Sequence, residues 1–387
     1  MARAFDGLRV IDTTHVLAGP FAAYQMAVLG AEVIKIEDPN DPDQARMQGT
    51  DRVLTDAKMG TAFLAQGSNK KAVALDLKTE AGRAALLRLV DEADVFVENY
   101  RPGAFEALGL GHEVLRARNP GLVYCSISAF GATGPRRAQT GYDNVIQAFC
   151  GMMAMTGTPG GPALRCGAPV IDYATGTTAA FAITAALFHR TRTGQGQHVD
   201  VSMLDVALML MSAPAAGFLW NGVHPEAAGN DFFFATLGCY DTLDEPIMIA
   251  ASNLAQQERL WRALGRDDLI RQDNNARLDA HAEEKSALST ILATRGAADW
   301  EEFFIARRIP AARVRRLEEA LADPQLRARG VFQRHRVPGH SLDGLTVPVA
   351  GFTMSACPPR LEFPPQPVGA QTADILSADG QTEADGD

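Results

Sequence analysis

The stretch LRVIDTTHVLAGPFAAYQMAVLGAEVIKIE, residues 8–37, decides the fold. LRVID (8–12) is short, apolar and β-branched, the composition of a buried strand. GPFAAYQMAVLG (19–30) follows, with Pro20 near its start and Gly30 at its end. That order favours a helix, because a first-turn proline gives up only an N–H that has no intrahelical partner, and glycine tolerates the left-handed stop. AEVIKIE (31–37) is a second strand. Strand, helix and strand in close succession predict a right-handed parallel crossover.

The rhythm recurs downstream. KAVALDL (71–77) reads as a strand, KTEAGRAALLRLVDEA (78–93) as a helix, and DVFVENY (94–100) as a further strand. GLVYCSISAFG (121–131) is a buried strand that runs into a glycine turn. Strands apolar on both sides belong to a parallel sheet covered on both faces, so the fold class is α/β. YATGTTAAFAITAALFHR (173–190) is a long helix of small and apolar residues, and TRTGQGQHVDVSMLDVALMLM (191–211) passes from a polar turn through a strand into a helix. From about residue 221 to 350 the sequence is more polar, and its middle reads as a small helical domain. In the tail, 371–387, only the first few residues are expected to be ordered.

At 387 residues the chain exceeds what one core usually serves, so more than one domain is expected. Its net charge of -10 repels phosphate backbones and argues against nucleic acid as a partner. Cys125, Cys150, Cys166, Cys239 and Cys357 form no CxxC pair, so neither a disulfide framework nor a zinc cluster is expected. MARAFDGLRVID lacks the apolar stretch of a signal peptide. The most apolar run, VALMLMSAPAAGFLW (206–220), contains Pro214 and falls short of the roughly 20 residues that span a bilayer. A cytoplasmic, reduced protein without a membrane partner is expected.

Six stretches carry candidate chemistry, each with a plainer reading beside it. HVLAGP (15–20) offers a close backbone turn at a helix start, suited to a pyrophosphate or simply to starting a helix. NKKAVALDLK (69–78) supplies Lys70, Lys71 and Lys78, either phosphate partners or lysines flanking a strand. ENYRPG (98–103) ends a strand with Asn99, Tyr100 and Arg101, where a parallel sheet faces its ligand or merely turns. GYDN (141–144) and GAPVIDYATG (167–176) each set an acid among apolar residues and glycine. Asp172 reads either as the N-cap of the helix that follows or as a nucleophile, with nearby backbone N–H groups steadying the oxyanion. His198 and Asp200 in RTGQGQHVDVS (192–202) share one side of a strand without a third ligand, so no metal is assigned. GxGxxG, P-loop and GxSxG motifs are absent from the sequence.

Taken together, residues 8–37 and the stretches NKKAVALDLKTEAGR, ADVFVENYRPGAFEALGLG, NPGLVYCSISAFGATGP and AALFHRTRTGQGQHVDVSMLDV resemble the class III CoA-transferase family. IPAARVRRLEEALADPQLRARG and VGAQTADIL extend the likeness from about residue 5 to about residue 377. The family includes formyl-CoA transferase, carnitine CoA-transferase and the α-methylacyl-CoA racemases. The resemblance implies a Rossmann-like large domain at 1–200, a linker helix at 201–224 and a smaller α+β domain at 225–330. It also implies a return to the large domain at 331–377, with 378–387 a disordered tail. Two such subunits are implied to interlock as a homodimer.

The resemblance further implies that CoA moves from an acyl-CoA donor to a carboxylic acid acceptor, with no tightly bound cofactor. Asp172 matches the family's nucleophile, ionised near neutral pH if its pKa is the ordinary value of about 3.9. Asp143 stands where formyl-CoA transferase has a glutamate that positions that nucleophile. His15, Val16, Ala18, Leu75, Lys78, Asn99, Tyr100 and Leu108 match CoA contacts. Asp38 replaces an arginine and Leu17 a glutamine of formyl-CoA transferase, and NGVHPEAAGNDFFF (221–234) lacks its consecutive glycines. The last two departures argue against oxalate and formate. The alternative is an α-methylacyl-CoA racemase, but Tyr142 stands where those enzymes have histidine.

Overall fold

A computed structural model describes residues 2–337 and 341–381. The chain divides into two compact units. The first comprises Met1–Met152, Arg165–Val223 and Gln325–Asp387, and the second Met153–Leu164 and His224–Pro324.

The first unit is built on six parallel strands: β1 (Arg9–Asp12), β2 (Glu32–Glu37), β3 (Lys70–Ala74), β4 (Val95–Glu98), β5 (Val123–Ser128) and β6 (His198–Ser202). Their order across the sheet is β3-β2-β1-β4-β5-β6. This is a doubly wound sheet whose order reverses between β1 and β4, the place where such sheets leave a crevice at the strands' carboxyl ends. Alternation explains why the strands read as apolar throughout. Val10, Val33, Val95, Val97 and Val123 pack against the helices Ala18–Val28 and Val170–Thr193. Ile11, Ile34, Ile36, Phe96 and Tyr124 point the other way and pack on Leu86, Leu89 and Val90 of the helix Glu80–Asp91.

The helix Val170–Thr193 is long and apolar enough to cross a membrane by length and composition. Its buried side, with Ala179, Ile183, Ala186 and Leu187, lies in the sheet's core. Next come two helices, Met203–Leu210 and Ser212–Asn221, bent by 78° at their junction.

The chain after Gln325 is stitched to the first unit by named bonds. Tyr24 Oη donates to the Pro348 carbonyl (2.8 Å), and the Asn69 side chain bonds the backbone of Arg360, Glu362 and Phe363. The last helix, Thr372–Gln381, enters the stretch expected to be disordered, because Ile375 and Leu376 find the apolar cluster around Leu86. The rest of that stretch, 382–387, lies outside the described residues.

The second unit adds strands to the helices that its residues alone suggested, the α+β make-up that the family resemblance implies. It holds an antiparallel sheet of β7 (Leu237–Asp241), β8 (Pro246–Ala250) and β9 (Ala311–Arg313) in that order. Trp261, Leu288, Leu292, Trp300 and Phe304 from its helices complete the core with Ile247 and Ile249. The strands are too short, and β9 too remote in sequence, for periodicity to reveal them.

Gly176 sits where two helices nearly touch: a Cβ there would lie 2.5 Å from the Ala18 carbonyl oxygen and 3.0 Å from Phe21. In an open helix Gly→Ala stabilises by about 0.5–1 kcal/mol. Here Gly176→Ala is expected to destabilise by about 1–3 kcal/mol, since backbone must move. Urea unfolding reads the sign directly.

Candidate active site

The site starts from charged side chains beneath the turn after β1. Asp12, at the end of β1, is fully buried and accepts from Lys70 Nζ of β3 at 2.8 Å. The same ammonium donates to the Pro20 carbonyl (2.7 Å). Lys35 of β2 donates to the Thr14 carbonyl (2.6 Å) and pairs with Asp43 at 3.2 Å. Burial opposes the charge on Asp12, yet Lys70 and Lys35 outweigh it and hold this carboxyl below the ordinary range. Burial likewise opposes the charge on Lys35, but Asp43, Asp12 and Glu37 raise its pKa well above that of a free lysine.

The network dictates the backbone of the turn. Asp43 Oδ1 accepts from Val16 N (2.9 Å), and Gln66 Nε2 donates to the Val16 carbonyl (2.8 Å). Val16 is thereby held at φ 71°, a left-handed conformation costly for a β-branched residue. His15 is fixed by a reciprocal pair with Asn99 at the end of β4: His15 N donates to Oδ1 (2.9 Å) and Nδ2 donates to the His15 carbonyl (2.8 Å). Tyr100 meets the His15 ring edge-on, with centroids 4.9 Å apart.

At these strand ends opens a cavity of about 660 Å³. His15, Asn99 and Tyr100, three of the expected CoA contacts, line it together with Thr14, Asp38, Arg101 and Tyr142. Val16, Ala18, Leu75, Lys78 and Leu108 do not line it. Ala18 is buried in the first helix, while Leu75 and Leu108 belong to the apolar cluster on the sheet's second face. Lys78 is exposed and pairs with Asp38 at 3.1 Å. The phosphate reading of Lys70 and Lys71 is corrected: Lys70 is buried against Asp12, and Lys71 pairs with Glu32. Among the described residues, Arg101 is the cavity's only lysine or arginine.

Asp143 and Asp172 lie outside the cavity lining, although Gly141 and Tyr142 belong to it. Asp172 is not an N-cap. The helix begins at Val170, so Asp172 lies within its first turn, and no side chain of the flanking Pro169 caps it. The cap comes instead from Asp143, the first residue of the helix Asp143–Phe149. Asp143 Oδ2 accepts from Ile171 N (2.7 Å) and Asp172 N (3.0 Å). Those two N–H groups are therefore not free to hold an oxyanion. The half-buried Asp172 carboxylate itself accepts no hydrogen bond among the described residues. Burial, and then the charge of Asp143, push its pKa up to about 7. Ionisation at neutral pH is thus only partial, which corrects the expectation from the ordinary value.

Sequence reading missed Asp12, Lys35, Asp43 and Gln66. A signal was present: a lysine inside a strand buried on both faces, as in AEVIKIE, must find a carboxylate. Among the described residues, no group of three or more His, Cys, Asp or Glu is placed to hold a metal ion.

A model of CoA-transferase family III matches residues 5–372. The chain is 36% identical over 384 residues to succinate–glutarate CoA-transferase of Agrobacterium fabrum, covering 96% of this chain and 94% of the relative. It is 34% identical to acetyl-CoA:oxalate CoA-transferase of Acetobacter aceti, covering 90% of each. Among solved structures, a CAIB/BAIF family protein from Brucella suis superposes with a TM-score of 0.84 at 30% identity, over 98% of this chain and 100% of that one. The Mycobacterium tuberculosis protein Rv3272 gives 0.84 at 31% identity, over 96% and 99%.

A carboxyl whose proton affinity rises on folding stabilises the fold at low pH and loses that contribution as pH climbs through about 7. Asp172→Asn is therefore expected to raise the melting temperature more at pH 8 than at pH 5. Thermal unfolding across that range checks it, and an equal gain at both values would contradict the shift.

Proposed function

We propose a nucleophile and a substrate class for this chain, which belongs to CoA-transferase family III and moves CoA between acyl-CoA and carboxylic acids. The nucleophile is Asp172. One observation carries this assignment: its carboxylate is half-buried, accepts no hydrogen bond and holds its proton up to about 7. Such an oxygen is more basic than an ordinary carboxylate and has no donor to lose before it attacks.

Asp172 attacks the thioester carbonyl of the donor, forming an aspartyl–acyl anhydride and releasing CoA thiolate. The thiolate attacks the aspartyl carbonyl, giving an aspartyl-CoA thioester and freeing the first acid. The acceptor carboxylate displaces the thiolate from that thioester, which forms a second anhydride. Thiolate attack on the acceptor's acyl carbonyl then yields the new acyl-CoA and restores Asp172. Every step exchanges one acyl bond for another, and no proton need be gained or lost overall.

Asp143 positions Asp172 by capping its helix. His15, Asn99, Tyr100 and Arg101 receive CoA in the cavity, with the arginine as the phosphate partner. Val16 and Ala18 shape the turn beside it. Leu75, Lys78 and Leu108 remain in the proposed CoA site on family resemblance. Several relatives bear names that pair succinyl-CoA or succinate with a dicarboxylic acid, among them glutarate, L-malate and D-citramalate. We assign this chain a succinyl-CoA donor and a dicarboxylate acceptor. Leu17 suits an acid larger than formate or oxalate. The relatives named above are CoA-transferases, and Tyr142 lacks the imidazole that racemisation requires.

The partner is a second copy, interlocked as the family resemblance implies, in the cytoplasm. Support comes from an apolar surface on the helices from 170 to 221. Phe181 is 74% exposed, Leu219 82% and Trp220 90%, large apolar side chains of the kind a partner chain covers.

Incubation with succinyl-CoA and a panel of free acids, read by mass spectrometry, is expected to yield dicarboxyl-CoA products that vanish with Asp172→Ala. Undiminished transfer by that variant would overturn the nucleophile, and exchange only with monocarboxylates would overturn the substrate class. Light scattering is expected to give twice the chain mass, and a monomeric mass would remove the partner.

A further inference from the structure

Gln147 belongs to no candidate site above, yet it is 1% exposed and makes two directed bonds. It stands one turn after Asp143 on the same helix face. Its Nε2 donates to Asp143 Oδ1 at 2.5 Å, and its Oε1 accepts from Cys166 N at 2.9 Å. The amide has one sensible orientation, because turning it over sets oxygen against carboxylate and NH₂ against N–H. Asp143 thus receives three donors: Gln147 on one oxygen, Ile171 N and Asp172 N on the other.

Each bond closes part of one ring. Gln147 ties Asp143 to the segment at Cys166, and Asp143 ties that same segment's continuation at Ile171 and Asp172. Without the amide, Oδ1 of Asp143 faces no donor in a nearly dry site, and the carboxylate gains by turning toward water. We propose that Gln147 is a positioning residue for the transfer reaction, clamping Asp143 so that it holds the first turn that carries Asp172. This rests on Asp172 being the nucleophile.

The surroundings leave few other charges to confuse the readout. The helix Ala18–Val28 contributes none, Asp205 of the helix Met203–Leu210 is exposed, and Arg165 donates to the carbonyls of Cys166 and Gly167. Tyr173, next to Asp172, has its pKa raised by burial and by Asp172.

The test is the pH profile of kcat and kcat/KM for full-length Gln147→Met and Gln147→Glu. Gln147→Met is expected to lower kcat by about ten- to a hundredfold with KM for acyl-CoA held, as small misplacements near reacting groups do. Its acid limb is expected to move to lower pH, as Asp172 loses a fixed negative neighbour. Combined with Asp143→Asn, it is expected to cost little beyond Asp143→Asn alone, because both act through one carboxylate. Gln147→Glu is the same size and regains the donor only when protonated, so its rate relative to wild type is expected to climb as pH falls. This second variant decides the matter if Gln147→Met does not fold. Wild-type profiles in both, with only a lowered melting temperature, would make Gln147 purely structural and overturn the proposal. Transfer surviving in Asp172→Ala would instead overturn the nucleophile, so the two failures are distinguishable.

Discussion

Two buried ion pairs, Asp12–Lys70 and Lys35–Asp43, are the constraint on which the rest of the first unit depends. Charges removed from water persist only when paired and hydrogen-bonded, and losing one partner of such a pair typically costs about 3–5 kcal/mol. These charges come from β1, β2, β3 and the segment after β2. They can be satisfied only when the three strands lie side by side in the order observed. The network therefore ties sheet order to the conformation of the turn above it. Val16 cannot relax from φ 71° while Asp43 holds its N–H and Gln66 its carbonyl. The strained turn is held from outside itself, and it brings His15 to Asn99 and Tyr100 at the mouth of the cavity.

A second arrangement works by the same logic at the helix carrying Asp172. A helix start leaves N–H groups in need of acceptors. An aspartate in the first turn would ordinarily benefit from them. Here Asp143 takes the two nearest, and Asp172 is left with neither donors nor full hydration. That deprivation keeps its proton affinity high. The fold thus gives up stability at the carboxylate that the proposed chemistry uses, a trade common at sites where reactivity and burial conflict.

The periodicity of 8–37 and its echoes determined the parallel sheet, its covering helices and their approximate ends, because alternation and helix punctuation are local properties of a chain. Asp172 was singled out from its segment, and Asn99, Tyr100 and Arg101 from their place at a strand end. Sequence alone left Asp172 as a helix cap or a nucleophile, and left Lys70 as a phosphate partner or a strand flank. Tertiary structure removed the cap reading of the one and the phosphate reading of the other. Lys70 is consumed by Asp12, 58 residues away, and the cap of Asp172's helix comes from Asp143, 29 residues away. The antiparallel sheet of the second unit also waited for the structure, since β9 joins β8 from a distant part of the chain. Hydrophobic patterning specifies which faces are buried. Which polar groups meet inside is set by distances between strands and helices remote in sequence, and only folding creates those distances.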